Sequence, residues 1–592
     1  MINSRPQKRP VGPYIAEELM KLEQHTSFPE VVCRHGRRPA ADTMPRRLIA
    51  LLLLLAAIGE PCFAQGRDEA QRLLQERQDR ERVEALTRPA PAVAGEADVV
   101  RADGGIEPSR VPEQEPAFLI QRITVKGDTL LSEAARETLL APFVGLKLGP
   151  RRIDLLLRRF TAGYMERGYI TTRAYIGPQN LASGELEVTI VPGTIESVRL
   201  NGASLAGAAA IALPQSSGGA LRLADVEQAV DQINRLRSNR AEAQILPGQS
   251  LGTSIIAIEN RAEKPWRISL GSDNYGQPAT GQGRVRAGVD VDNLLGAWDA
   301  WSATHVESRD SRADLFAFSV PVGYGTFSYA YARADYLTPI GTIAVSTGDS
   351  HNQTLAWNQV LGRDTHGRTA LDAALALRES WRRLNDISLT PQQQASLRLA
   401  LSRQQRFTIG SVSAEFGITK GLDAFGYDKD LPGLPDSAAH NQFDKYDVNL
   451  AAILALGADW AWRGNLTAQD ARVGLPGAEQ LFVGGAATVR GFPEGIIAGD
   501  RGYVLRNELQ WTGAMPRAVL ATGAQFAPFV FVDASRTRLL ADGNDKRLSS
   551  FGFGLRLAWK AASLEAAWAH PVAAPDGVSK ANRVHANLSL LF

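Results

Sequence analysis

The chain has 592 residues, with Lys+Arg 65 against Asp+Glu 63, a net charge of +2 and 44% hydrophobic residues. That balance excludes wholesale disorder and a chain dominated by a basic nucleic-acid footprint. Both cysteines, Cys33 and Cys62, sit near the start, so no disulfide framework holds the rest, and no His/Cys pair has zinc-site spacing.

Leu48 to Ile58 is an apolar run too short to span a bilayer. Arg46-Arg47 precedes it and Cys62-Phe63-Ala64 follows, the pattern of a secretory signal peptide over 44–64 with cleavage after Ala64. Met44 reads as the initiator and 1–43 as an upstream extension. Gly59-Glu60-Pro61 is a poor lead-in to a lipidated Cys62.

Residues 65–87 predict a helix, since Arg67 to Thr87 holds no Gly or Pro and is rich in Glu, Arg, Gln, Leu and Ala. Leu73, Leu74, Val83 and Leu86 give it only a thin apolar stripe, so it suits solvent or a polar cavity equally. Residues 88–116, with five Pro and three Gly, read as a linker. Two β-α-α-β-β units follow. The first, 117–192, has strands at Phe118–Val125, Thr171–Ile176 and Gly184–Val191 around helices Ser132–Leu140 and Arg151–Arg167. The second, 193–264, has strands at Ile195–Leu200, Glu242–Leu246 and Thr253–Ile258, a helix near Ser204–Ala212 and another at Leu223–Leu236.

From 265 to 592 the period becomes two. Val285 to Val291, Phe551 to Trp559 and Val584 to Phe592 each place apolar residues at alternate positions. Gly/Pro/Asp-rich turns separate the strands, and Leu315–Val320 with Phe327–Tyr331 reads as a hairpin. An exported chain, the length of this region and a strand ending on Phe592 favour a membrane barrel over a soluble sandwich. In lipid only a closed sheet satisfies its own backbone. At roughly 9–11 residues per spanning strand, the region holds on the order of sixteen strands, enough to enclose a polar channel.

Five segments carry a resemblance covering residues 65–592. They are Gly168–Val198, Ile233–Ile258, Ser272–Val285, VRGF (Val489–Phe492) with LRNEL (Leu505–Leu509), and FVDAS (Phe531–Ser535). In this order they resemble the transporters of two-partner (type Vb) secretion, the filamentous-haemagglutinin and haemolysin exporters. Ser535 stands where the family's F-x-D-x-G motif has glycine, while the Asp is in place. The resemblance implies an antiparallel transmembrane β-barrel of about 16 strands, two α+β POTRA (polypeptide-transport-associated) domains in the periplasm, and an N-terminal plug helix. It also implies ATP-independent export of one large β-helical exoprotein, unfolded, across the outer membrane.

Taken alone, Arg490 reads as a solvated loop cation. The resemblance instead implies that its loop enters the lumen and that Arg490 pairs with Asp533, with Gly491, Phe492 and Phe531 beside them. Asn239, Gln244, Pro247, Gly248 and Gly252 lie on the second POTRA signature, where an extended client could add a strand to an exposed sheet edge. Phe592, Leu590 and Leu588 read as the signal by which the barrel-assembly machinery inserts the chain into outer-membrane lipid. The G-x-S-x-G match Gly248–Gly252 lacks the strand-to-helix turn of a hydrolase nucleophile, and there is no P-loop, so no catalytic residue, metal, cofactor or nucleic-acid partner is expected. Two other readings stay open: an insertase of the same superfamily, and a passive porin or receptor.

Overall fold

The computed structural model describes residues 69–95, 106–127, 130–215, 217–341, 343–364, 366–513 and 523–592; the upstream extension, the signal peptide and residues 96–105 of the linker lie outside them. The polar helix is present as α1 (Glu69–Thr87). What composition gives as plain linker then contains a short strand, β1 (Val93–Gly95).

The first αβ unit comprises β2 (Arg122–Lys126), α2 (Glu133–Leu140), α3 (Pro150–Met165), β3 (Arg173–Tyr175) and β4 (Glu185–Val191), in sheet order β2-β4-β3. Leu156, Phe160 and Tyr164 recur at helical spacing and bury against Leu186, Val188 and Ile190. Pro150 opens α3 where no N–H is needed. Glu113, from the linker, caps that end by accepting from the backbone N–H of Gly149, Arg151 and Arg152 at 3.0, 3.1 and 3.0 Å. Burial pushes the Glu113 carboxyl up, but these donors and the Gln114 N–H outweigh it and hold its pKa below the usual carboxylate range.

The second unit comprises β5 (Thr194–Leu200), α4 (Leu223–Asn234), β6 (Asn239–Pro247) and β7 (Thr253–Ala262). The helix expected near Ser204–Ala212 is a 3-10 turn, Gly207–Ala212, too short to accumulate α-helical hydrogen bonds. Val226, Val230 and Ile233 of α4 bury against Ala241, Ala243, Ile256 and Ile258. Its polar side grips the turns at one end of the barrel. Gln232 donates to Gly323 O and Gly325 O at 3.1 and 3.0 Å, Arg235 to Ser319 Oγ at 2.6 Å, and Asp225 accepts from Tyr324 Oη at 2.6 Å.

The barrel opens with β8 (Trp266–Asp273), β9 (Arg284–Asp292), β10 (Ala300–Glu307) and β11 (Ser311–Val322). It continues with β12 (Gly325–Ile340), β13 (Ala344–Asp364), β14 (Gly367–Leu384) and β15 (Gln392–Phe407). Next come β16 (Gly410–Leu422), β17 (Asp444–Leu456), β18 (Trp460–Ala471) and β19 (Arg501–Trp511). The circuit ends with β20 (Gln525–Arg538), β21 (Asp545–Trp559), β22 (Ala562–Ala573) and β23 (Arg583–Leu591). These sixteen antiparallel strands close, with the two-residue strand Ile387–Ser388 riding on β14. At the seam Leu590 lies opposite Leu270, and Phe592 N donates to Ile268 O at 2.9 Å. Closure leaves no unpaired edge.

Outward positions form an exposed greasy belt, including Leu270, Val285, Leu355, Trp357, Leu399, Phe416, Val532, Phe553 and Leu588. So large an apolar exposure is a lipid-facing surface. Inward positions are mostly polar, with apolar strips where an element packs on the wall: Val306, Ala313, Leu315, Ala332 and Ala334 bury Ala70 and Leu73 of α1, and Val504, Leu548, Phe529 and Phe531 form others.

Candidate functional site

The bore is filled by two elements. The first is α1, whose 19 residues extend about 28 Å, close to the thickness of the hydrocarbon core. Near its start Glu69 accepts from Arg284 at 2.8 Å, and Arg284 forks onto Asp273 at 2.8 and 3.1 Å. Glu76 pairs with Arg284 and Arg286 at 3.2 and 2.5 Å. Near its end Arg82 donates to Glu415 at 3.0 Å, and Gln404 and Ser411 of the wall donate to the carbonyls of Ala85 and Leu86 at 2.5 and 2.7 Å. The carbonyls that helix geometry leaves without partners are thus capped by the wall. Glu84 pairs with Arg237 of the second αβ unit.

The second element is the segment between β18 and β19, which folds back into the bore. Its stem is a two-stranded ribbon, Leu481–Val483 with Ile497–Gly499. Asp500 ties the stem by accepting from Leu475 N and Leu540 N at 2.8 and 2.7 Å. On one side Glu479 sits between Arg378 and Lys445. On the other lies VRGF. Arg490 donates from Nε to Asp533 Oδ2 at 2.7 Å and from Nη2 to Oδ1 at 2.9 Å, the two-pronged fork of a guanidinium on a carboxylate. Its backbone N–H also reaches Asp533 Oδ2, at 3.1 Å, and its Nη1 reaches Glu508 at 3.0 Å. The guanidinium lies 3.6 Å from the Phe531 ring centroid. Arg490 is 2% exposed and Asp533 0%, so both charges depend on each other.

Gly491 has φ +95°, and a Cβ there would meet Ala569 Cβ at 3.2 Å, so the turn that aims Arg490 requires glycine. Its N–H donates to His585 Nε2 at 3.0 Å. Phe492 is fully buried with Val489, Ile497, Val504 and Leu548. Arg490, Gly491, Phe492, Phe531 and Asp533 therefore meet at one point. Glu508, His585 and Glu479 complete the anchorage and escaped sequence reasoning. Glu508 stands inside LRNEL, two positions from Arg506, where period two sends both inward; His585 carries the same signal, alternating with Val584 and Ala586 in the last strand, and Glu479 carried none.

The residues on the second POTRA signature are arranged differently. Asn239 is buried and donates to Ile233 O at 3.3 Å while accepting from Asn260 at 3.1 Å, which makes it a tie within its own domain. Gln244 is exposed, but its strand edge is not free: β1 pairs in parallel with β6, Ala94 opposite Gln244. Pro247 to Gly252 form the hairpin between β6 and β7. The Glu196 carboxylate accepts from Thr253 Oγ1 and Gln249 N, both at 2.7 Å, and these bonds hold its pKa below the usual range. Ser250 therefore sits in a strand-to-strand turn, away from any strand-to-helix elbow.

A closed barrel with a greasy exterior, a stoppered polar bore and two small αβ domains at its mouth defines an outer-membrane transporter of the two-partner secretion class. The family described as haemolysin secretion/activation protein ShlB/FhaC/HecB matches residues 252–557, and two POTRA families, one of ShlB type, match 118–193 and 194–247. The chain is 33% identical over 456 residues to the outer membrane transporter CdiB of Escherichia coli O6:K15:H31 (strain 536 / UPEC), covering 75% of this chain and 76% of that one. It is 30% identical over 423 residues to the hemolysin transporter protein ShlB of Serratia marcescens, covering 67% and 73%. The solved structure of CdiB from Escherichia coli superposes with a TM-score of 0.77 at 29% identity, over 88% of this chain and 97% of that one. The chain belongs to the ShlB/FhaC/HecB family. It is an outer-membrane transporter acting with a secreted exoprotein, and its POTRA domains face the periplasm.

Proposed function

We propose that one large β-helical exoprotein threads this barrel unfolded, after docking by its extended N-terminal region on the edge of the second POTRA domain around Gln244 and the Pro247–Gly252 hairpin. No nucleotide is used; folding of the client outside the cell makes passage irreversible. The reading treats 44–64 as a removed export signal, 117–192 and 193–264 as two periplasmic modules, and Leu588, Leu590 and Phe592 as the handle for barrel-assembly machinery. The observation that carries it is the nature of the stoppers. α1 is held mainly by ion pairs and hydrogen bonds, which water can replace, and the Arg490 loop adds the packing of Val489 and Phe492 to its ion pairs; neither contributes a strand to the closed ladder, so each is removable without dismantling the wall. The Arg490–Asp533 fork is the lock of the inner loop.

Deletion in the native host tests this. Loss of one secreted protein, with other outer-membrane proteins at normal abundance, is expected. General depletion of outer-membrane proteins would overturn it in favour of barrel assembly, and an unchanged culture medium would favour a passive channel.

A further inference from the structure

Strand β6 is the edge on which the client is read to dock, and its outer side is already occupied. Asn239 N donates to Leu236 O at 3.1 Å. Ala241 N donates to Asn234 Oδ1 at 2.6 Å and its carbonyl accepts from Asn234 Nδ2 at 2.9 Å, a side-chain amide standing in for a strand. Ala243 N donates to Ala92 O at 3.0 Å, and Val93, Ala94 and Gly95 run opposite Ala243, Gln244 and Ile245. Proline at 247 has no donor to offer. Val93 also packs onto the second domain's apolar core. A main chain arriving at this edge finds nothing to pair with until β1 leaves.

What β1 is attached to gives this occupancy a consequence. Five residues, Arg88-Pro89-Ala90-Pro91-Ala92, separate β1 from the end of the plug. Two prolines stiffen them, and at about 3.1 Å per residue the tether spans roughly 20 Å. Arg237, two residues before β6, pairs with Glu84 in the last turn of α1. One corner of the second POTRA domain thus holds both the tether and the foot of the plug.

We infer that Val93–Gly95 is a placeholder strand, which the unfolded main chain of the client replaces on the Asn239–Pro247 edge, releasing α1. This rests on the docking reading above. The partner chemistry is a stretch of extended polypeptide with free N–H and C=O groups and an apolar side chain where Val93 now sits. The placeholder has the advantage of its tether, an effective concentration in the millimolar range. A client wins by pairing beyond the three positions that β1 covers, taking Ala241 from the Asn234 amide as it extends along the edge. Short or mismatched segments lose, so the plug stays in place for them.

The test uses the full chain carrying Cys33→Ser and Cys62→Ser. Ala94→Cys with Gln244→Cys places two thiols at register partners. The client is taken as the protein that vanishes from the culture medium when this chain is deleted. Oxidised, the pair should export at least tenfold less client than the same variant reduced. Ala94→Pro removes a strand donor from the linker alone; without client, it should spend at least tenfold more time at open levels in planar bilayers than the parent. A photo-cross-linker at Leu246 should capture the client in the parent and lose it in the oxidised pair. Capture at Leu246 together with equal export by oxidised and reduced pairs would overturn the placeholder and leave the docking reading standing. An absence of capture in the parent would overturn both. A parent-like, closed Ala94→Pro pore would overturn the coupling to the plug.

Discussion

Replacing Arg490 by alanine should undock the inner loop while leaving the barrel closed. The substitution removes the fork on Asp533, the bond to Glu508 and the stacking on Phe531. Glu508 keeps Arg556, whose Nη2 donates to it at 3.1 Å, so the charge left short of a partner is that of Asp533, which is 0% exposed and keeps only the looser pairing with Arg506 at 4.0 Å and the backbone N–H of residue 490. Stranding a buried carboxylate costs ~3–5 kcal/mol. Taking about 3 kcal/mol, since the bore admits water once the loop moves, the docked-to-undocked ratio falls on the order of 100-fold. Val489 is 0% exposed, so a Val489→Cys reporter reacts with a maleimide only from the undocked state. Its labelling rate should rise on the order of 100-fold in Arg490→Ala, with Arg490→Lys between, because an ammonium keeps the charge and loses the fork. Arg490→Ala combined with Asp533→Asn should label more slowly than the product of the single effects requires. A rise below tenfold, in protein whose heat-modifiable gel mobility shows an intact barrel, would refute the lock.

Gly491→Ala forces a side chain into a positive-φ turn against Ala569, at a cost of about 1–3 kcal/mol; export should drop with barrel abundance unchanged, as immunoblots of medium and membranes will show. Deleting 69–87 removes one of the two stoppers, and single-channel conductance should increase severalfold over the parent. At the first POTRA domain, the linker residue Glu113 that caps its helix has its pKa depressed in the folded state. Its contribution is complete above the ordinary Glu value near ~4.3 and is lost as pH falls through the lower folded value. Proteolytic resistance of residues 117–192 should therefore decline as pH drops below about 4, and Glu113→Gln should be more susceptible at neutral pH with that acid step flattened.

The barrel was legible because its two environments write alternation directly into the chain. Phe551, Phe553, Val584 and Leu588 could only be read as one greasy face, and they line the exterior. The pairing of Arg490 with Asp533 was legible only through motif resemblance, since nothing local distinguishes Arg490 from a solvated loop cation. Its further supports were hidden for a topological reason: His585 lies on the last strand, 94 residues from Gly491, and joins the loop only when the barrel closes, while Glu508, on the strand that follows the loop, meets Arg490 only because the loop folds back into the bore. β1 was invisible because three residues in a Pro/Gly-rich stretch have no periodicity of their own; their strand character comes from a partner some 150 residues away. The strip that receives Ala70 and Leu73 was masked because Leu315 lies in a nearly continuous apolar run, Leu315 to Val320, where inside and outside positions look alike. The apolar pattern there is satisfied by a helix rather than by lipid.

The almost wholly hydrophilic surface of α1 bears on what happens after each round of traffic. A greasy stopper, once expelled, would need shelter from water; this one would be at ease in the aqueous compartment. Because the peptide bond never lets it diffuse away, its return is a first-order event, independent of how many copies the cell holds. On the proposed route of export, the envelope would be resealed by the same molecule that was breached, and a pore wide enough for polypeptide need not become a standing leak.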